Sequence, residues 1–264
     1  MTREIAIRSL RGTGEPFQGY TGAYGAQPRS GWGINEPNMM DDIVKAGREL
    51  EVGHYPVPYH ASIAPAGGTK MFHESYHDGW QKVTKTDATS GTANIWIGYS
   101  LGALILGDVA AAGELNNCIG MILLSDPAMP KGGAHPACKV PSERYGCTGG
   151  RAISGPFPKY WISAADDPIS ALPQGNGFRG IASVVTGKPQ PLAPGYLNVP
   201  AIIDAARRYL GTPPIEAGGR RIREAVPSRH VIYASERMPG STQTYTGFAG
   251  TLAKAMIDQY KENQ

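Results

Sequence analysis

A chain of 264 residues with 41% hydrophobic and 18% charged side chains is long enough to bury a sizeable core and too apolar to be disordered. Its formal net charge of +3 suits contact with an anionic surface and falls far short of a nucleic-acid-binding composition. The longest apolar run, Leu101 to Gly113, is interrupted by Asp108 and is too short to span a bilayer, and no N-terminal stretch has the layout of a signal peptide.

The expectation is therefore a protein made in the cytoplasm without a signal of its own. The 35 glycines and 22 prolines sit mostly in a few stretches, which predicts long irregular loops around an ordinary core. The densest basic cluster, Arg220, Arg221 and Arg223, has no interleaved aromatics and reads as a solvated face. Of three cysteines, Cys138 and Cys147 flank a short Pro-containing loop with spacing for one disulfide, three free thiols being the alternative; Cys118 reads as buried.

In chain order, Ile5 to Leu10 predicts a first strand that ends in the Gly-rich turn Arg11-Gly12-Thr13-Gly14. Residues 16 to 37 lack periodicity. Asn38 reads as the N-cap of a helix through Leu50, and Glu51 to Tyr59 as a second strand broken by Pro56 and Pro58. A helix is predicted between Lys70 and Thr86. Asn94 to Tyr99 has the short apolar run of a buried parallel strand, followed by a buried helix over Leu101 to Ala112 and another strand over Ile119 to Leu124. Lys159 to Ser163 is the next strand, with irregular chain before it. Residues 168 to 200 are again irregular, with a short helix near Ile181; Val199 to Leu210 reads as an amphipathic helix. A last strand is expected to end near His230, and Thr246 to Tyr260 is a C-terminal helix. Strands alternating with helices imply an α/β fold of one domain, 1–264, with a mainly parallel sheet covered on both faces and a lid or linker subregion over 170–212.

The central motif is Gly98-Tyr99-Ser100-Leu101-Gly102 between a strand and a buried helix. A serine on so sharp a turn needs small residues two before and two after it, and the turn lifts its hydroxyl above the sheet edge. Ser100 is thus the candidate nucleophile. The N–H of Leu101 and one from the turn after the first strand, Thr13, are the candidate oxyanion donors. In the chain order nucleophile, acid, base, only His135 and His230 follow Ser100, and His230 lies late enough to be the base. The acid is Asp126, Asp166 or Asp167; order favours the adjacent pair without choosing within it. A rival motif, His73-Glu74-Ser75-Tyr76-His77, matches H-E-x-x-H of zinc peptidases, although Asp78-Gly79 follows at once and weakens the helix, and no third ligand lies shortly downstream.

Gly12-Thr13-Gly14, Gly98-Tyr99-Ser100-Leu101-Gly102, Asp126-Pro127, Ala165-Asp166-Asp167-Pro168-Ile169 and His230-Val231-Ile232-Tyr233 together resemble the phage lysin B enzymes, cutinase-like esterases of viruses that infect mycobacteria and related actinobacteria. The resemblance departs at Arg11, where that family often has His, and no cysteine lies near Asp167 as it does in cutinases. It implies an α/β-hydrolase fold and Asp167 as the acid. It also implies an esterase without cofactor or metal, acting on the ester between mycolic acids and arabinogalactan at the host envelope after release. The rivals are a general cutinase- or lipase-type carboxylesterase, a zinc peptidase using His73 and His77, and a non-catalytic envelope-binding module.

Overall fold

Along Ile95-Trp96-Ile97 consecutive side chains enter opposite cores, Ile95 and Ile97 one and Trp96 the other, as the period of a strand requires. The same alternation splits Ile122 from Met121 and Leu123, so the strand is buried on both faces. The computed structural model describes residues 3–15, 39–190, 194, 196–217 and 220–264. Its main sheet comprises β1 (Ile5–Leu10), β2 (Gly53–Pro56), β3 (Ala93–Tyr99), β4 (Cys118–Leu124) and β5 (Lys159–Ile162), all parallel, in the order β2-β1-β3-β4-β5.

Helices α1 (Asp41–Arg48) and α6 (Tyr245–Glu262) cover one face, closing a core with Ile7, Ile43, Ile97, Ile122 and Ile257. On the other face lie α2 (Phe72–Thr89) and α3 (Leu101–Ala111), packed around Trp96, Leu104, Ile105, Met121 and Leu123. Helix α4 (Phe178–Thr186) and helix α5 (Val199–Leu210) form a third, smaller cluster with Cys147 and Leu172. This two-faced parallel sheet is the α/β-hydrolase arrangement. Its winding reverses between β1 and β3, and in open parallel sheets that switch point, at the C-terminal strand ends, is where a site opens.

Several expectations need correcting. The helix after His73 does not weaken at Asp78-Gly79: α2 runs on to Thr89, because Gly79 is where the helix passes Tyr59 and Ile105, and a Cβ there would lie 2.8 Å from Ile105 Cδ1. The strand expected to end near His230 is absent. A separate antiparallel hairpin, β6 (Ile215–Ala217) with β7 (Arg220–Arg223), precedes His230, which sits in a turn. The second strand stops at Pro56, and α1 begins after Met40 as its N-cap. Asn38 and the irregular segment 16–37 lie outside the described residues. All three cysteines are free thiols: Cys138 and Cys147 are buried in different clusters, and Cys118 is only partly buried. Arg221 and Arg223 of the basic cluster are exposed, as a solvated face requires. No helix among the described residues is long and apolar enough to cross a membrane.

Candidate active site

The turn from β3 into α3 is built on strain and on two missing side chains. Ser100 has φ 53° and ψ −117°, a region that costs a non-glycine residue about 1–3 kcal/mol. Its N–H still donates to Leu124 O at 3.0 Å, and its carbonyl accepts from Leu104 N at 3.0 Å, so the chain passes from ladder to helix at this one residue. A Cβ on Gly98 would lie 2.6 Å from Ala103 Cα, and one on Gly102 would lie 2.2 Å from Leu10 O. Neither neighbour can yield, since both are backbone. Behind the turn Leu104, Ile105, Leu106 and Val109 are fully buried, each contributing about 1.5–3 kcal/mol, which anchors the helix against the strain.

The Ser100 side chain does not cap α3, and no acidic residue occupies its first turn. The amides and dipole at that helix end are left facing the hydroxyl. The turn after β1 closes on the same point, where a Cβ on Gly12 would meet Ser100 Cβ at 3.3 Å. Within this turn the Gly12 N–H donates to Glu15 Oε2 at 2.6 Å and the Gly14 N–H to Ala61 O at 2.9 Å. Thr13 follows Gly12 in this turn, and Leu101 follows Ser100 at the head of α3.

His230 is 8% exposed and is held on several sides. Its ring stacks on Tyr99 with centroids 5.3 Å apart, and Tyr209 lies 5.5 Å away. The Tyr99 hydroxyl donates to the His230 carbonyl at 2.6 Å, so the residue before the serine fixes the loop of the histidine. In this pose His230 Nε2 is 2.8 Å from Ser100 Oγ, while Nδ1 is 2.9 Å from Ser125 Oγ and 3.3 Å from Asp167 Oδ2.

The three aspartates separate by environment. Asp167, fully buried, takes hydrogen bonds at Oδ2 from Tyr233 Oη at 2.6 Å and from the Ser125 hydroxyl, and at Oδ1 from Ile169 N at 2.9 Å. Burial pushes its carboxyl up, but the facing His230 and the donors His230, Ser125 and Tyr233 outweigh this and hold it below the usual carboxylate range. Asp166 points the other way, 2.8 Å from Arg229 Nε and 3.2 Å from Arg208 Nη1. Two adjacent pairs therefore clasp the loops together, Asp166 with Arg229 and Asp167 with His230. Asp126 is buried in a different polar cluster, with Oδ2 accepting from Arg151 Nη2 and from Trp161 Nε1, both at 2.8 Å. Burial pushes its carboxyl up against the pull of Arg151. The other late histidine, His135, lies edge-on to Phe248 at 4.9 Å and caps a short 3₁₀ turn.

His73 and His77 are exposed on α2, and Glu74 between them is engaged with Lys70 Nζ at 2.9 Å and with the Met71 N–H at 2.9 Å. Among the described residues no three His, Cys, Asp or Glu side chains converge as metal ligands. The sequence reasoning missed Tyr99, Ser125, Ser170 and Tyr233. Tyr99 and Tyr233 stand inside motifs already singled out; Ser125 and Ser170 carry no signal beyond following or preceding motif aspartates.

The fold and these groups define an α/β-hydrolase scaffold with a histidine at its switch point that contacts a serine through one ring nitrogen and an aspartate through the other. No family model matches the chain, and no curated protein matches it in sequence. Among solved structures it is similar to lysin B from Mycobacteriophage D29, at 16% identity over 98% of this chain and 89% of that one, with a TM-score of 0.49. An acetyl xylan esterase is similar at 16% identity over 70% of this chain and 96% of that one (TM-score 0.43), as is a cutinase-like protein from Cryptococcus sp. at 16% over 76% and 89% (TM-score 0.35).

Proposed function

We propose that this protein is a serine esterase with Ser100 as nucleophile, His230 as general base and Asp167 as the group that orients His230. One observation carries the reading: Ser100 Oγ lies 2.8 Å from His230 Nε2, and the other ring nitrogen faces a buried, ionised carboxylate. His230 takes the Ser100 proton as Oγ attacks the ester carbonyl. The N–H groups of Thr13 and Leu101 stabilise the oxyanion, and His230 then returns the proton to the leaving alcohol. Water deprotonated by His230 releases the acid and restores Ser100.

For the acyl donor, the sequence resemblance points to a mycolic acid esterified to arabinogalactan, hydrolysed at the host envelope during lysis. Exposed apolar side chains within 170–212 support a lipid substrate. Val184, Leu197 and Leu210 are 86%, 85% and 76% exposed, and Val199, Ile203 and Leu210 repeat on one side of α5. Tyr209, on the same helix, reaches His230. Residues 170–212 accordingly act as the acyl-contacting lid of the 1–264 domain.

The test is incubation with mycolyl-arabinogalactan and with p-nitrophenyl esters. Release of free mycolic acid supports the full reading. Hydrolysis of the small esters alone leaves a carboxylesterase of cutinase or lipase type, and no hydrolysis of either overturns the proposal.

A further inference from the structure

Ser125 directly follows β4 with φ 47°, a left-handed conformation in which glycine is the unstrained choice. It is fully buried, and its hydroxyl is the nearest neighbour of His230 Nδ1, at 2.9 Å against 3.3 Å for Asp167 Oδ2. The same hydroxyl contacts Asp167 Oδ2. A side chain on a backbone that disfavours side chains, placed between two groups of the site, invites a reason for its presence.

The proton count supplies one. A serine hydroxyl has one proton and two lone pairs, and an ionised carboxylate only accepts. Asp167 is held in its ionised form, so the contact between them is Ser125 donating to Asp167. With its proton committed, Ser125 Oγ faces His230 Nδ1 with a lone pair, and the hydrogen in that 2.9 Å contact belongs to Nδ1. The Nδ1–H tautomer leaves Nε2 as the acceptor, which is the form that receives the Ser100 proton. Tyr233 Oη and Ser170 Oγ also crowd Asp167 Oδ2, at 2.6 and 3.1 Å, and keep the carboxylate from swinging toward the ring.

We propose that Ser125 is a positioning residue that relays the Asp167 carboxylate to Nδ1 of His230, fixing the tautomer and orientation of the imidazole. The proposal rests on the esterase reading above. It assigns the Asp–His coupling to a three-membered chain, Asp167, Ser125 and His230, with the longer direct contact in support.

Ser125→Gly tests it, because glycine removes the hydroxyl while suiting the backbone. Measured on p-nitrophenyl acetate, kcat is expected to fall about 10- to 100-fold, the effect of one hydrogen bond to a charged group, with KM within about twofold of wild type. The melting temperature should not fall. In an Asp167→Asn background the same change should cost less than about twofold, since the relay then has no charge to transmit. Ser125→Ala, read in the same two backgrounds, serves if the glycine chain does not fold. A kcat at the wild-type level in Ser125→Gly, or an equal loss with and without the Asp167 charge, overturns the relay. A wild-type protein that neither hydrolyses esters nor reacts at Ser100 overturns the esterase reading instead, so the two failures are distinguishable.

Discussion

Asp126 and Asp167 are both fully buried carboxylates that follow strands of the sheet, yet their Asn variants should fail in opposite ways. In Asp126→Asn the new amide nitrogen cannot accept from Arg151 Nη2 or Trp161 Nε1, which both now donate to Oδ2 at 2.8 Å. Arg151 keeps Asp108 at 3.2 Å, so the cost belongs at the low end of a broken buried ion pair, about 3 kcal/mol. For a chain of this length that is a fall in Tm of roughly 6–12 °C. Turnover per folded molecule should stay within about threefold of wild type, because no contact runs from Asp126 to His230. In Asp167→Asn the amide still accepts one hydrogen bond and the fold survives. The imidazolium loses its counter-charge, and kcat should drop by on the order of 10³–10⁴. Thermal unfolding followed by tryptophan fluorescence and initial rates on p-nitrophenyl butyrate, for both variants, decide the matter. A folded Asp126→Asn protein without turnover, or an Asp167→Asn protein with near-normal kcat, refutes the division of roles.

Other consequences are simpler. Tyr99→Phe leaves the buried His230 carbonyl without its 2.6 Å donor; an unsatisfied group of this kind costs about 1–3 kcal/mol, read as a lower Tm, and a loosened His230 should lower kcat more than it changes KM. Gly102→Ala sets a Cβ 2.2 Å from Leu10 O, so the soluble protein should lose on the order of 3 kcal/mol and its esterase activity together; a stable, active variant would contradict the turn geometry. His54, against Ser9 Oγ at 2.7 Å, has its pKa lowered to about 4 by burial first and Arg48 second. A histidine depressed in the folded state contributes stability that is present above pH 6.5 and lost as pH falls from there toward 4. Within that window the slope from His54 approaches about 1.4 kcal/mol per pH unit, and His54→Gln should flatten the Tm profile between those limits.

Much of the fold was legible because it is written locally. Ile5–Leu10, Ala93–Tyr99 and Cys118–Leu124 are short apolar runs bounded by turn residues, and the buried helix after Ser100 carries almost no charge. Ser100 and His230 were nameable from motif and order; order left Asp166 and Asp167 open, and only the resemblance pointed to Asp167. The hairpin before His230 was not legible, because its strands, Ile215–Ala217 and Arg220–Arg223, are only three and four residues long and their large apolar side chains, Ile215 and Ile222, are exposed rather than packed on a core. Helix α2 was legible as a helix, but the place of Gly79 within it was not, since Gly79 looks like a breaker until Ile105 is seen against it. The least legible part is the polar network around the histidine. Ser125 meets a partner 105 residues away and Tyr99 one 131 residues away, and nothing in their immediate neighbours announces the contact.

The account stands or falls on Ser100 being a nucleophile. Folded protein should be treated with a fluorophosphonate probe, weighed intact, and digested to locate the adduct by mass spectrometry. One adduct per chain, on Ser100, absent from Ser100→Ala and strongly slowed in Asp167→Asn, is the predicted result. A folded wild-type protein that takes no adduct, or takes it elsewhere, would contradict the account at its centre.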